Sequence, residues 1–253
     1  MDEALMALSI ASKSEYLQAL FTVPKIVARE SDHLRFLRST NFDATLAAEK
    51  LALYWNTRVK LFEEKAFLPM SIEGALSDDI DTLRKGSIRL LEDDQHRRSV
   101  VYMERGLISP VRHSGKSWLR CVFYIFHAGL ERKHMQTEGV VLIISLANYR
   151  SEHLDRKLAK EFNKSLWHVL PVKIKIVFLP RGGNELKKIF LSIVRYIVGK
   201  IVRLRIREYQ NHFCFEEFGI YPDSLPRTIG GQNSIVDFHN WLQQRRITEE
   251  LRG

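Results

Sequence analysis

Residues 139 to 145 read GVVLIIS, a glycine followed by a continuous apolar run. Such a run fits a strand buried on both faces. Downstream, Leu154, Leu158, Phe162 and Leu166 recur at helical spacing. VKIKIVFL (172 to 179) is a second strand, NELKKIFLSIVRYIV (184 to 198) a helix, and KIVRLRI (200 to 206) a third strand. Strand, helix, strand, helix, strand implies parallel strands joined by crossovers, an α/β unit.

Upstream, GSIRLLE (86 to 92) and RSVVYME (98 to 104) are strands flanking the charged turn DDQHRR. A helix is expected near 115 to 135, with Leu119, Val122 and Phe126 on one stripe. The first seventy residues are helical in pattern. Asp43 is placed to cap ATLAAEKLALYWNTRVKLF, whose Ala47, Leu51, Tyr54, Trp55 and Phe62 share a face. The division expected is a helical unit over 1–70 and an α/β unit over 71–253.

The 253 residues carry a net charge of +9, and 45% of them are hydrophobic. That suffices for a sizeable core and points to an anionic partner. Ten basic residues and one acid, Glu185, lie between Lys173 and Arg207. Arg203, Arg205 and Arg207 are expected on one strand face, as are Lys173 and Lys175. Cys121 and Cys214 lack metal-ligand spacing and suit a reducing compartment. The N-terminus MDEALMALS carries acids where a secretory leader has bases. The longest apolar run, VVLIISLA, is far short of the roughly 20 residues of a membrane span. A soluble cytoplasmic monomer is expected.

No catalytic or metal-binding constellation emerges. SGKS (114 to 117) lacks the leading glycine of a phosphate loop, since Pro110 stands there. Ser114 suits a helix cap instead. PRGG (180 to 183) lacks dinucleotide spacing. Asp93, Asp94 and His96 fall in the charged turn, where exposed turn chemistry outweighs acid–base work. A nucleic-acid partner for the basic window is disfavoured, because no aromatic-rich strand is present to stack bases. The 184–198 helix is apolar nearly all round, apart from Lys187, Lys188 and Arg195. It is buried, rests on a membrane, or covers an apolar cavity.

LRFLRSTNFDATLAAEKLALYW, GVVLIIS, PVKIKIVFLP and LPRTIGG (225 to 231) follow one another in an order that resembles the CRAL-TRIO lipid-binding family. The resemblance spans roughly residues 30 to 245. It implies a helical N-terminal unit, then an α/β domain whose mostly parallel sheet floors a lipid pocket beneath a gate helix. It also implies a non-enzymatic lipid carrier or sensor without a cofactor. The guest would be a phospholipid, or a tocopherol-like or retinoid-like molecule. NELKKIFLSIVRYIVG would be the gate. The pocket residues implied are Val141, Ile143, Phe162, Leu166, Ile176, Phe178, Phe190, Ile193 and Ile197. Pro171, Lys173 and Lys175 resemble the phosphoinositide-binding strand start of tocopherol-transfer relatives. With Lys187, Lys200 and Arg203 they would hold an anionic membrane at a peripheral contact. A phosphoinositide-reading module with little transfer is the second expectation. Ser145 stands where the family's central strand usually ends in aspartate, and Thr228 where phosphatidylinositol carriers have lysine. The FLP before the gate is one residue short of the family pattern. These departures count against phosphatidylinositol coordination of the family type.

Overall fold

The computed structural model describes residues 1–109, 113–164, 168–181, 183, 185–197 and 203–252, with backbone alone at 186, 187 and 195–197. Leu166 and Lys200 lie outside the described residues, as do the side chains of Lys187 and Ile197.

The helical unit comprises α1 (Asp2–Ala7), α2 (Ser14–Thr22), α3 (Pro24–Glu30), α4 (His33–Ser39) and α5 (Ala44–Phe62). Asp32 caps α4 by accepting from Leu34 N at 2.9 Å, and Asp43 caps α5 by accepting from Leu46 N at 2.9 Å. Each carboxylate satisfies a donor that the first helical turn leaves unpaired. Between them Asn41 takes a left-handed φ of 55°, which asparagine tolerates. The expected α5 face is buried, and it carries one residue that apolar periodicity does not suggest: Arg58, 0% exposed. Its guanidinium pairs with Glu30 of α3 at 2.6 Å. It also donates to the carbonyls of Ala66 and Leu68 at 2.8 and 2.7 Å.

After α6 (Ile80–Arg84) the sheet begins. Its order is β1 (Ile88–Leu90), β2 (Ser99–Glu104), β3 (Val140–Ser145), β4 (Ile174–Pro180), β5 (Ile206–Tyr209). β1 is antiparallel to β2, and the remaining pairs are parallel. The crossovers contain α7 (Gly115–Gly129) with the short α8 (Lys133–Thr137), α9 (Arg156–Phe162), and α10 (Glu185–Ile197). α11 (Ile235–Glu250) ends the chain. Ser114 caps α7, accepting from Ser117 N at 3.0 Å.

The sheet is buried on both faces. Val101, Met103, Leu142 and Val177 join the core of α7, with its Leu119, Val122 and Phe126. Val100, Tyr102, Val141, Ile143, Ile176 and Phe178 join a second core under Phe215, Ile220 and Leu225.

Three local expectations are corrected. The last strand starts at Ile206, with Leu204 and Arg205 in a turn, so Arg203 and Arg205 share no strand face with Arg207. The alternation in KIVRLRI fits a strand, but the register pairs Val177 with Ile206, and among the described residues before 206 only Arg205 meets the β4 backbone, its carbonyl accepting from Val177 N at 3.0 Å. Lys173 and Lys175 share no regular face either, because a bulge interrupts pairing between Val140–Ile174 and Val141–Ile176, leaving Lys175 as the extra residue. The 93–96 turn is exposed at Gln95 and His96, as expected, but not at Asp94. Asp94 is buried, accepting from His96 N and Arg98 N at 2.9 and 2.8 Å and pairing with Arg98 at 2.6 Å. A carboxylate that collects this many donors is a turn brace rather than a free acid.

LPRTIGG folds back on itself. Asn233 N donates to Leu225 O at 2.9 Å and Arg227 N to Asn233 O at 3.1 Å. Gly230 has φ +95°, and a Cβ on Gly231 would stand 1.9 Å from the Leu225 carbonyl oxygen. Glycine is therefore obligatory at this corner, which turns the chain into α11.

Candidate functional site

A cavity of about 90 Å³ lies between the sheet and the crossover helices. Its floor is Met103, Ile144, Val177 and Ile206, contributed by β2, β3, β4 and β5. Pairing explains the floor, because Met103 is opposite Ile144 and Val177 opposite Ile206. α7 supplies Trp118, while α9 supplies Leu158 and Phe162. α10 supplies Phe190, Ile193 and Val194, residues at helical spacing that fall on one face. Phe162 stacks on Trp118 with ring centroids 5.5 Å apart, and Phe190 meets Tyr149 at 5.0 Å.

α10 is two-faced rather than apolar all round. Among its described side chains, Leu191 is buried and Phe190, Ile193 and Val194 half-buried, whereas Glu185, Lys188 and Ser192 are exposed. Glu185 and Lys188 pair at 2.6 Å on the outside. Ile189 is the apolar exception there, 42% exposed.

Of the residues expected to line a pocket, Phe162, Phe190 and Ile193 do line this cavity. Val141, Ile143, Ile176 and Phe178 do not, because they lie in the core on the opposite sheet face. Strand parity is the reason. In a sheet buried on both sides, either alternate set is apolar, and the pattern carries no sign.

A polar group occupies one wall. Arg105, following β2 at the parity of Met103, lines the cavity with Tyr149, His153 and Asp155. Its guanidinium carbon lies 5.3 Å from the Trp118 ring centroid. Burial lowers the pKa of Arg105, opposed by Tyr149 and Asp155. Burial also pushes Tyr149 up to about 12. The imidazole of His153 is lowered, by burial first and Arg105 next. It accepts from Arg150 N at 2.8 Å, and the Tyr149 hydroxyl donates to the His153 carbonyl at 3.0 Å. Asp155 caps α9 through Leu158 N at 2.9 Å. The loops carrying these residues show no periodicity, so only the parity of Arg105 with Met103 could have flagged the wall. Among the described residues no cluster of His, Cys, Asp and Glu could hold a metal ion.

The basic residues gather elsewhere. Lys173 is half-buried and Lys175 exposed. The pKa of Lys173 is lowered by burial and then by its neighbour Lys175. Arg205 donates to the Ile174 carbonyl, so it adjoins them. Because β2 and β4 run the same way, this cluster at the start of β4 lies at the other end of the sheet from Arg105. Arg203 is exposed nearby in sequence.

At Thr228 the hydroxyl is already engaged. It donates to Glu104 at 3.0 Å and meets the Tyr102 hydroxyl at 2.8 Å. This network lies on the sheet face away from the cavity.

A family model described as the CRAL/TRIO domain matches residues 83–231, more than half of the chain. The chain belongs to this family, whose members are generally lipid-binding or lipid-transfer proteins. The crystal structure of Sfh5 matches with a TM-score of 0.51 and 10% sequence identity, covering 95% of this chain and 98% of that one. At that identity the likeness concerns the fold: a helical N-terminal region followed by a mostly parallel five-stranded sheet. Among the described residues no helix is long and apolar enough to cross a membrane.

Proposed function

We propose that this protein is a non-enzymatic, cytoplasmic carrier or sensor of one hydrophobic or amphipathic lipid. The guest lies between the sheet and α10, and α10 is the gate. The observation that carries this is the apolar cavity over the sheet, one wall of which is the inner face of the two-faced α10. Gly183, with φ +121°, stands two residues before α10 and supplies backbone freedom for a hinge. The cavity of about 90 Å³ is smaller than the roughly 150 Å³ void that takes benzene or the ~300–1,000 Å³ of ordinary ligand pockets. A lipid tail therefore enters only when α10 moves outward. Each buried methylene then contributes about 0.8 kcal/mol. Mass spectrometry of lipid extracted from the natively purified protein tests this, together with transfer between vesicles. Protein that carries no lipid and moves none is not a carrier.

Membrane docking rests on Lys173 and Lys175, aided by Arg203 and, outside the described residues, Lys200. Phosphoinositide-bearing vesicles are the expected target. Each cation near such a surface is worth about 1 kcal/mol, so Lys173→Ala with Lys175→Ala weakens sedimentation by about 30-fold. Unchanged sedimentation removes the patch from the proposal. The small cavity favours one second reading, a phosphoinositide-reading module with little transfer. Vesicle binding without lipid uptake would select it.

A further inference from the structure

The cavity wall holds two buried donors that no described residue satisfies. Arg105 Nε and Trp118 Nε1 have no hydrogen-bond partner among the described residues. Trp118 is only 6% exposed. Arg105 directs one terminal nitrogen to the Ile108 carbonyl at 3.2 Å, and its charge lies against the Trp118 ring. Leaving such donors unpaired away from water is costly; the Arg105 side chain is half-buried, Asp155 acts on its charge from a distance, and its Nε finds no acceptor among the described residues. Everything else around them is apolar, apart from Asp155, Tyr149, His153 and Asn163.

We infer that Arg105 and Trp118 anchor the head of the guest, and that the guest is a single-chain amphiphile with a carboxylate head. This deepens, and rests on, the lipid-chamber reading. A guanidinium beside one neutral N–H offers two donors and one positive charge, matching the two oxygens and single charge of a carboxylate. A phosphate monoester would bring a second negative charge toward Asp155. A phosphodiester head carries a second substituent beside its charge, which would also have to be housed. The hydrocarbon chain runs from the anchor along Phe162, Phe190 and Ile193, the wall that yields when α10 moves.

The test compares cis-parinaric acid with its methyl ester by fluorescence, using wild-type protein, Arg105→Met and Trp118→Phe. Methionine keeps an apolar stem, and phenylalanine keeps a ring while deleting the N–H. A charge-assisted contact predicts that the wild type binds the acid at least about tenfold more tightly than the ester. Arg105→Met should erase that preference while leaving ester affinity within about twofold, and Trp118→Phe should reduce it by about threefold. Equal binding of acid and ester by the wild type overturns the anchor and leaves the chamber reading intact. Binding of neither overturns both. Displacement of parinarate by lysophosphatidate at lower concentration than by oleate overturns the carboxylate assignment.

Discussion

Two arginines in this protein are set against tryptophans, Arg58 fully buried and Arg105 half-buried, and they are opposites. Arg58 lies 4.7 Å from the Trp55 ring centroid and has Glu30, two carbonyls and the Tyr54 hydroxyl around it. The second Glu30 oxygen accepts from Met70 N at 2.9 Å. The five donors of a guanidinium find partners on several sides, and α3, α5 and the 66–70 segment are tied by one fork. Arg105 has the same aromatic neighbour but one carbonyl and an orphan nitrogen. A saturated cation holds structure together. An unsaturated one at a cavity leaves donors free for the guest proposed above.

The largest test of that contrast is Arg58→Met. It leaves the buried Glu30 with only the longer contact to Arg29, at 3.7 Å, and should cost about 3–5 kcal/mol, read by urea unfolding. Glu30→Gln keeps an acceptor and loses the charge, and its cost should be smaller, about 1.5–3 kcal/mol. If both variants are neutral, the cluster is not a brace. Next comes pH. His127 touches the Tyr54 hydroxyl at 3.4 Å, and its pKa is held well below the ordinary 6.5, by burial first and by Arg58 and Arg35 next. The unfolded chain then binds the proton that the folded one refuses. Stability is complete above pH 6.5 and declines as pH falls below it, by about 1 kcal/mol between pH 6.5 and 5.5. His127→Gln should flatten that slope. The smallest expected effect is that of Arg105→Met on stability, within about 1 kcal/mol of wild type in either direction, because an unpaired charge is being removed. A loss as large as that of Arg58→Met would mean the two arginines do the same job.

The strands and helices of the α/β unit were legible because apolar runs and caps are local signals. Asp43 and Ser114 cap where their sequence context puts them, and GVVLIIS is the central strand. Which face of that strand looks into the cavity was not legible, since Val141 and Ile144 are equally apolar and only the tertiary covering separates them. The start of β5 was misplaced because alternation continues through residues that the neighbouring strand does not reach. Lys175 was read as a regular strand position because a bulge leaves no mark in residue type. Arg58 and Arg105 both stood in plain view, but whether a cation is saturated depends on carbonyls that arrive from distant segments.

The glycine corner at 230–231 sends α11 across both units. Glu249 accepts from Ile72 N and from the Tyr124 hydroxyl, each at 2.8 Å, and Arg29 donates to the Arg252 carbonyl at 2.8 Å. The chain's two ends are thereby belted to its middle. Under the gating proposed for α10, loading and unloading would involve a single crossover segment swinging on a frame that never has to come apart, with the barrier to exchange set by that segment's own adhesion.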